Sequence, residues 1–262
     1  MPLPRPIALL TDFGTKDAYA ASMKGVILGI CPKAILIDLT HEMGPQNVRE
    51  ASFVLEAAYP YFPAGTIFVC VVDPGVGSER EILGARTGAG IFLAPDNGLL
   101  TRILVREKNP EIRPVTNRRF FLKKVSSTFH GRDCFAPTAA HLAINPSLFS
   151  KLGPRISHFR KLDFPVPRVS AGKLRGEVVY FDHFGNAFTN ITKEFLKENN
   201  RALHQVRLKG RKLGRIRRSY FEAALGEAVA VFSSTGVLEI AVNQGSAREK
   251  LRLQEGSRVE VE

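Results

Sequence analysis

The segment DPGVGSER at residues 73–80 combines a carboxylate, which can accept a proton, and a guanidinium cation with a loop that can approach a ligand closely. Its aspartate and arginine, Asp73 and Arg80, bracket two glycines and could form an ion pair across the loop. Glycine permits a tight turn and a close backbone approach. A purely structural ion pair is the alternative interpretation. A phosphate-binding loop is disfavoured because no Gly-Lys-Ser/Thr follows the glycines.

A second segment, TFHGRDCFAP at residues 128–137, places His130 and Gly131 just before a predicted helix. Histidine can exchange a proton near neutral pH, although a lone histidine is more often structural. The nearby Cys134 suggests a Cys–His nucleophile as an alternative. We expect Cys134 to point into the packed start of the helix, and the sequence shows no oxyanion-binding feature. A thiol mechanism is therefore disfavoured.

Two aspartates, Asp12 and Asp17, follow a short apolar run that we predict to be a buried strand. A carboxylate at a strand end can accept hydrogen bonds from a ribose diol, and a second acid can hold an ammonium group. Alternatively, Asp17 caps the helix predicted over residues 17–30. The sequence lacks the GxGxxG fingerprint, which disfavours a nicotinamide site.

Polar clusters also follow predicted strands in the last third of the chain. The segment DHFGN at residues 182–186 contains Phe184 and Asn186. An aromatic ring can stack on a base, and an amide two residues further on can read the edge of that base. Residues 233–236 and 239–245 form another polar cluster. Each cluster taken alone could be an ordinary turn.

The elements that must position these residues alternate in type through the first half of the chain. Strand-like apolar runs and helical patterns follow one another at residues 6–10, 17–30, 34–39, 47–61 and 66–72. This alternation predicts an α/β N-terminal domain with a mostly parallel central sheet, whose functional residues lie at the carboxyl ends of strands. Asp12 and Asp73 both occupy such positions.

The second half of the chain is β-rich. Proline and mixed charge at residues 163–170 predict a linker between a domain over 1–162 and a domain over 171–262. Short strand patterns indicate a smaller all-β barrel or sandwich, at residues 176–181, 204–208, 228–232, 237–242 and 257–262. Six basic residues lie within residues 209–218. No aromatic residues interleave with them, which favours a solvated hairpin over a nucleic-acid contact.

The composition sets broad limits on function. Of 262 residues, 44% are hydrophobic and 24% are charged, which excludes overall disorder. No apolar run reaches the roughly 18–20 residues of a membrane helix, and the N-terminal segment lacks a signal-peptide cleavage site. Three cysteines without a CxxC pair predict a reducing, cytoplasmic location and no metal site. The net charge of +12 favours anionic partners or solubility.

Taken together, the motifs resemble the S-adenosylmethionine (SAM) hydroxide adenosyltransferases, relatives of the fluorinase and chlorinase. The segments that carry the resemblance occur in that family's order and cover nearly the whole chain: TDFGTKDAYAASMKG, DPGVGSER, APDNGLL, TFHGRDCFAP, DHFGNAFTNI and SSTGVLEIAVNQGSA. The resemblance implies nucleophilic substitution at the 5′ carbon of SAM, in which water yields adenosine and methionine. It implies no cofactor, with SAM as the substrate.

The resemblance also implies roles for single residues. The family's water-handling trio corresponds to Asp73, Arg80 and His130, and its ribose-binding acid to Asp12. The remaining substrate contacts correspond to Asp17, Gly131 and Asp182 around the methionine end and reaction centre, and to Phe184, Asn186, Ser234, Glu239 and Val242 around adenine. Family members are homotrimers whose sites lie between one subunit's first domain and a neighbour's second domain.

Two departures from the halogenases favour water as the nucleophile. The fluorinase has a tyrosine where this chain has Asp73, and a halide-contacting serine where it has Gly131. The fluorinase also has an extra loop after the strand that corresponds to residues 66–73, whereas here residues 81–87 run on with no room for it. A chlorinase on the same scaffold, an adenosine-binding protein without activity and a nucleic-acid-associated protein remain as alternatives, the last disfavoured. A membrane partner is not expected.

Overall fold

The computed structural model describes residues 3–170, 172–199 and 205–262. The chain divides into two compact units, with the boundary between Leu162 and Asp163. Within the described residues, no helix is both long enough and apolar enough to cross a membrane.

The first unit is built on one mixed sheet. Its strands are β1 (Ile7–Thr11), β2 (Leu36–Thr40), β3 (Thr66–Val71), β4 (Ile82–Arg86), β5 (Gly90–Pro95) and β6 (Glu111–Pro114). Its helices are α1 (Tyr19–Ile30), α2 (Val48–Ala58), α3 (Thr101–Leu104) and α4 (Ala136–Ile144). The strand order is β2-β1-β3-β5-β4-β6. In this order, the first four strands (β2, β1, β3 and β5) run parallel, and β4 is antiparallel to both of its neighbours, β5 and β6. The predicted α/β domain with a mostly parallel sheet is confirmed.

Burial of the sheet on both faces explains its continuous apolar strands. In β1, Ile7 and Leu9 pack with one core cluster, which includes residues of α1 and α4. Ala8 and Leu10 point to the opposite face and pack with residues of α2 and α3. Successive side chains of a strand alternate between the two faces of the sheet. The five buried residues of β1 therefore contribute side chains to the cores on both faces.

The pairing of β1 with β3 brings the two strand-end aspartates to one edge of the sheet. Thr11 is the register partner of Val71 in this parallel pair. Asp12 and Asp73 therefore leave the sheet at neighbouring positions, as the strand pattern predicts. This edge is where open α/β sheets usually place their ligands.

Two helix boundaries differ from the sequence expectation. The helix predicted over 17–30 begins at Tyr19, and its N-cap position, Ala18, has no capping side chain. The interpretation of Asp17 as a helix cap is therefore wrong. The helix after Asn47 is capped as predicted, because the Asn47 side chain accepts from the backbone N–H of Glu50. That helix ends at Ala58 and tightens into a 3₁₀ turn containing Pro60.

The second unit is a β-barrel. Its strands are β7 (Arg168–Ser170), β8 (Lys173–Phe181), β9 (Ala187–Thr192), β10 (Gln205–Leu208), β11 (Arg211–Arg217), β12 (Ala228–Phe232), β13 (Val237–Val242) and β14 (Arg258–Val261), with helices α5 (Lys193–Glu198) and α6 (Ala247–Lys250). Pairing of β14 with β8 closes seven strands into a ring, and β7 adds to β8. The prediction left a barrel and a sandwich open, and the closed ring of strands shows that this unit is a barrel.

Three details refine the prediction for this unit. In the segment expected as a linker, Arg168–Ser170 pairs with β8. Of the strand predicted over 204–208, His204 lies outside the described residues. The basic segment forms the predicted hairpin, because β10 and β11 pair antiparallel around Lys209 and Gly210, both in the left-handed region.

Candidate active site

Arg80 links Asp73, at the start of its own loop, to His130, which lies 50 positions further along the chain. Its Nε donates to both carboxylate oxygens of Asp73 at 2.9 Å, and its Nη2 also donates to Oδ2. The same Nη2 lies 2.9 Å from Nδ1 of His130. The side chains of Asp73 and Arg80 are each only 6% exposed. The predicted pairing across the loop is therefore present, and it extends to His130.

The contact with Arg80 fixes the protonation state of His130. A guanidinium group only donates hydrogen bonds, so Nδ1 must act as the acceptor and the ring must be neutral with its hydrogen on Nε2. The pKa of His130 is lowered by burial and by the adjacent Arg80 charge, which agrees with a neutral ring. His130 can therefore present an N–H donor at Nε2.

A cavity of about 760 Å³ reaches the Arg80–His130 end of this cluster. Its lining includes Ser78, Ser126 and Ser127 and the basic residues Arg118, Arg119 and Lys123. The cavity gives solvent a polar approach to His130.

Gly77 holds in place the loop that carries Asp73 and Arg80. Its φ of 82° lies in the left-handed region, and an added Cβ would lie 2.5 Å from the backbone oxygen of Ser127. The positive φ would strain any residue with a side chain. The clash cannot be relieved by rotating a side chain, because the obstructing atom belongs to the backbone. The segment 73–80 is thus packed directly against the segment that precedes His130.

Replacing Gly77 with alanine is expected to displace this loop, to lower the free energy of unfolding by about 1–3 kcal/mol and to reduce turnover. Thermal unfolding and a rate assay would measure both effects. Gly88→Ala is the matched control, because an added Cβ there meets nothing within 4 Å. An equal response of the two variants would contradict the assigned role of Gly77.

The turn that carries His130 is unusual in geometry and tightly packed. Gly131–Phe135 forms a π-helical turn immediately before α4, a feature common at functional sites. A Cβ at Gly131 would lie 3.2 Å from Met23 Sδ and 3.3 Å from rings of Phe13 and Phe129. Even a small side chain at this position would require its neighbours to shift.

Cys134 points into the protein, as the sequence predicts. It is buried, and burial raises the pKa of its thiol to about 11. The thiolate is the reactive form of cysteine. A thiol nucleophile at this position is therefore disfavoured by the structure as well.

The two N-terminal aspartates occupy different environments. Asp12 is half-buried, and its Oδ2 accepts the backbone N–H of Gln46 at 2.8 Å. Asp17 is exposed, two residues before α1. Of the two carboxylates, that of Asp12 is held in a fixed orientation by the backbone of Gln46.

In the second unit, Asp182 and Asn186 close a compact loop. Oδ1 of Asp182 accepts the backbone N–H of Asn186 at 2.8 Å, and Oδ2 accepts its side-chain amide at 2.9 Å. Gly185 has a φ of 80° and lies against Ser246, which leaves no space for a Cβ. Phe184 projects from this loop and is 73% exposed. A ring so exposed is available to stack on a ligand.

Glu239 is buried in the barrel wall and has a partner that the sequence analysis missed. Its Oε1 accepts the hydroxyl of Tyr220 at 2.7 Å. Burial and the nearby Asp182 charge raise the pKa of Glu239, despite the hydrogen bond from Tyr220. The signal available in the sequence was a glutamate inside the apolar strand pattern of β13, because a buried carboxyl group requires a donor.

The two remaining predicted residues differ in how they are presented. Ser234 is exposed in the turn between β12 and β13. Val242 is 4% exposed and packs in the barrel core. A ligand contact at Val242 would therefore involve its main chain.

Comparisons with known proteins agree with this arrangement. A family model described as the SAM hydroxide adenosyltransferase N-terminal domain matches residues 7–153, and the C-terminal domain model matches residues 176–260. A Thermus thermophilus protein named (R)-S-adenosyl-L-methionine hydrolase is 37% identical over 260 residues, covering 96% of this chain and 97% of the relative. A fluorinase from an Actinoplanes species is 32% identical over 219 residues, 73% of each chain.

A solved structure extends the agreement to three dimensions. The crystal structure of an uncharacterized conserved protein from Thermotoga maritima matches with a TM-score of 0.90 at 40% identity, covering 97% of this chain and 99% of that chain. The two family models together cover most of both units. The chain belongs to the SAM hydroxide adenosyltransferase family.

Proposed function

We propose that the protein is an enzyme that hydrolyses SAM by attack of water at the 5′ carbon, giving adenosine and L-methionine. The names of the hydrolase relatives support this reaction. The observation that carries the proposal is the bridging of Asp73 and His130 by Arg80. One buried cation thereby orients a carboxylate and an N–H donor at fixed positions.

The chemistry requires positioning more than acid catalysis. The new C5′–O bond forms as the C5′–S bond breaks, and sulfur takes the bonding electron pair to become a neutral thioether. The leaving group therefore needs no proton. Fixed orientation of two reactants can supply about 7–11 kcal/mol of barrier reduction.

In the proposed reaction, His130 orients the attacking water and Asp73 removes its proton. The Nε2–H of His130 can donate to one lone pair of the water oxygen, and the other lone pair attacks carbon. Asp73 accepts the water's proton late, as attack proceeds, and later releases it to solvent. His130 is not the base in this scheme, because its Nδ1 already accepts from Arg80.

The remaining residues would bind the substrate. In this proposal the Asp12 carboxylate accepts from the ribose hydroxyls, and Asp17 and Asp182 face the methionine end. Gly131 borders the reaction centre in this proposal, where close packing by Met23, Phe13 and Phe129 favours a residue without a side chain. The adenine contacts are Phe184, Asn186, Ser234, Glu239 and the main chain of Val242.

We also propose that the protein acts as a cytoplasmic homotrimer, with each site shared between one subunit's first domain and a neighbour's second domain. The family resemblance supports the trimer, and three buried free cysteines are typical of a reducing compartment. Sedimentation equilibrium would test the trimer, and a monomer at assay concentration would contradict it.

The function is tested by incubating the purified protein with SAM in chloride-free buffer and resolving the products by chromatography. We expect adenosine and methionine in equal amounts. Parallel reactions with added chloride or fluoride test the halogenase alternative, and a 5′-halogenated nucleoside as the main product would support it. Bound SAM without any product would instead indicate a sensor.

The pH dependence of turnover should follow the neutral form of His130. Because its pKa lies below the usual 6.5, the ring stays neutral, and turnover is retained, when the pH falls to 6.5. At lower pH, protonation breaks the contact with Arg80 and turnover declines. The same group contributes stability that is present above pH 6.5 and lost as the pH falls through the lowered pKa. Turnover measured as a function of pH in the wild type checks this expectation, and an acid-side midpoint above pH 6.5 would contradict it. The profile of the control variant His158→Gln, which changes an exposed histidine, should match that of the wild type.

A further inference from the structure

Three hydrogen bonds join the end of β1 and the loop that follows it to the loop after β2. The backbone N–H of Gly14 donates to the carbonyl oxygen of His41 at 2.7 Å. The hydroxyl of Thr11 lies 2.8 Å from Nδ1 of His41. The backbone N–H of Gln46 donates to Oδ2 of Asp12 at 2.8 Å. Two of the three bonds involve His41, and the third ends on the Asp12 carboxylate itself.

His41 is part of a chain of hydrogen bonds with a defined direction. Its Nε2 lies 3.1 Å from Oδ1 of Asp38, whose Oδ2 accepts from Lys24 on α1 at 2.7 Å. Although partial burial acts to raise it, the pKa of Asp38 is lowered because Lys24 and His41 donate to the carboxylate. A carboxylate only accepts, so Nε2 of His41 carries a hydrogen. In the neutral ring, Nδ1 then accepts from Thr11.

The position of His41 shows why this chain bears on Asp12. Thr11 and His41 are buried, at 0% and 5% exposure, whereas Asp12 lies at the adjoining half-buried edge. Thr11 immediately precedes Asp12, and its hydroxyl also accepts the backbone N–H of Phe13. The residues on both sides of Asp12 are thus held by groups bonded to His41, directly or through Thr11.

Gln46 completes the arrangement at some conformational cost. Its φ is 62°, a left-handed conformation that is uncommon for residues other than glycine. In this conformation its backbone N–H reaches Asp12. Backbone strain of this kind persists where the surrounding structure over-determines it, and it is concentrated at ligand sites.

We propose that His41 is a positioning residue for the nucleoside ribose, which presets the Asp12 carboxylate to receive the two ribose hydroxyls. The proposal rests on the proposed function, because it takes Asp12 as the ribose-binding acid. His41 itself does not touch the substrate. Its removal should weaken binding of the ribose diol and leave the chemical step unaltered, so KM should rise while kcat is retained.

The test compares two ligands that differ only at the ribose. Calorimetry would measure binding of adenosine and of 2′,3′-dideoxyadenosine to the full-length wild type, His41→Phe and Thr11→Val. Thr11→Val keeps the shape of its side chain and His41→Phe keeps a planar ring, and both remove the Thr11–His41 hydrogen bond. His41→Phe also removes the hydrogen bond to Asp38. We expect each variant to bind adenosine about tenfold more weakly, the equivalent of one hydrogen bond, and dideoxyadenosine as the wild type does.

Two further variants separate positioning from general stability. In His41→Asn, the side-chain oxygen can accept from Thr11 as Nδ1 does, so adenosine affinity should be largely restored. When Asp12→Ala is already present, adding His41→Phe should cause no further loss of adenosine affinity, because the group being positioned is absent. Thermal unfolding of each variant establishes that it is folded.

The outcomes distinguish this proposal from the proposed function. If the wild type prefers adenosine to dideoxyadenosine but His41→Phe weakens both ligands equally, His41 has only a structural role and the proposal is overturned. An unchanged adenosine affinity in both variants overturns it as well. If the wild type neither binds adenosine nor releases it from SAM, the proposed function fails and this inference fails with it.

Discussion

Asp73→Asn is expected to bind SAM normally and to lose turnover by about 10²–10⁴-fold, the usual contribution of a positioned acid or base. The carboxylate is the acceptor that receives the proton of the attacking water in the proposed reaction. An asparagine amide has nearly the same shape but cannot take up that proton. Its NH₂ group would also face the donors of Arg80, so the cation would lose part of its hydrogen bonding.

Binding and turnover must be measured separately to test this prediction. Calorimetry with SAM gives the affinity, and chromatography gives the adenosine formed per unit time. Glu79→Gln is the matched control, since it removes the same charge from the same loop at an exposed position one residue before Arg80. Unchanged turnover in Asp73→Asn would remove Asp73 from the mechanism.

Arg80→Met is expected to lower the free energy of unfolding by about 3–5 kcal/mol, because it leaves the buried Asp73 carboxylate without its cation. Both side chains of this pair are 6% exposed. The variant also removes the donor to His130 Nδ1. Turnover should fall together with stability, because the same guanidinium organises both partners.

Arg86→Met provides a comparison at a more exposed ion pair in the same unit. Arg86 is 44% exposed, and its partner Glu111 also accepts from Arg113. Removing such a cation should cost about 0–1 kcal/mol. Denaturant unfolding of the two variants would measure both values. Similar losses for Arg80→Met and Arg86→Met would contradict the special role of the Asp73–Arg80 pair.

Local pattern sufficed to predict the parts of this structure that depend on short stretches of chain. Asp12 and Asp73 could be placed at one sheet edge because both follow apolar runs that alternate with helices. Parallel strands joined by helices bring their carboxyl ends to the same side. The cap at Asn47 and the hairpin at 209–218 are equally local, because each depends on a few adjacent residues.

Contacts between distant segments could not be predicted in this way. Tyr220 is hydrogen-bonded to Glu239 across 19 positions, and Thr11 lies against His41 across 30. Nothing in the spacing of these residues indicates the pairing, which arises from strand order and register. The acceptor role of His130 Nδ1 likewise depends on which of the two ring nitrogens faces the guanidinium group of Arg80. The error at Asp17 has a simpler cause, since a helix can begin two residues after a good capping residue without using it.

The central claim is that water attacks the 5′ carbon of SAM, and oxygen labelling tests it most directly. The purified protein would be incubated with SAM in H₂¹⁸O, and the products analysed by mass spectrometry. The proposed reaction predicts one ¹⁸O atom in the 5′-hydroxyl of adenosine and none in methionine. Adenosine without the label, or labelled products of cleavage at another bond of SAM, would contradict it.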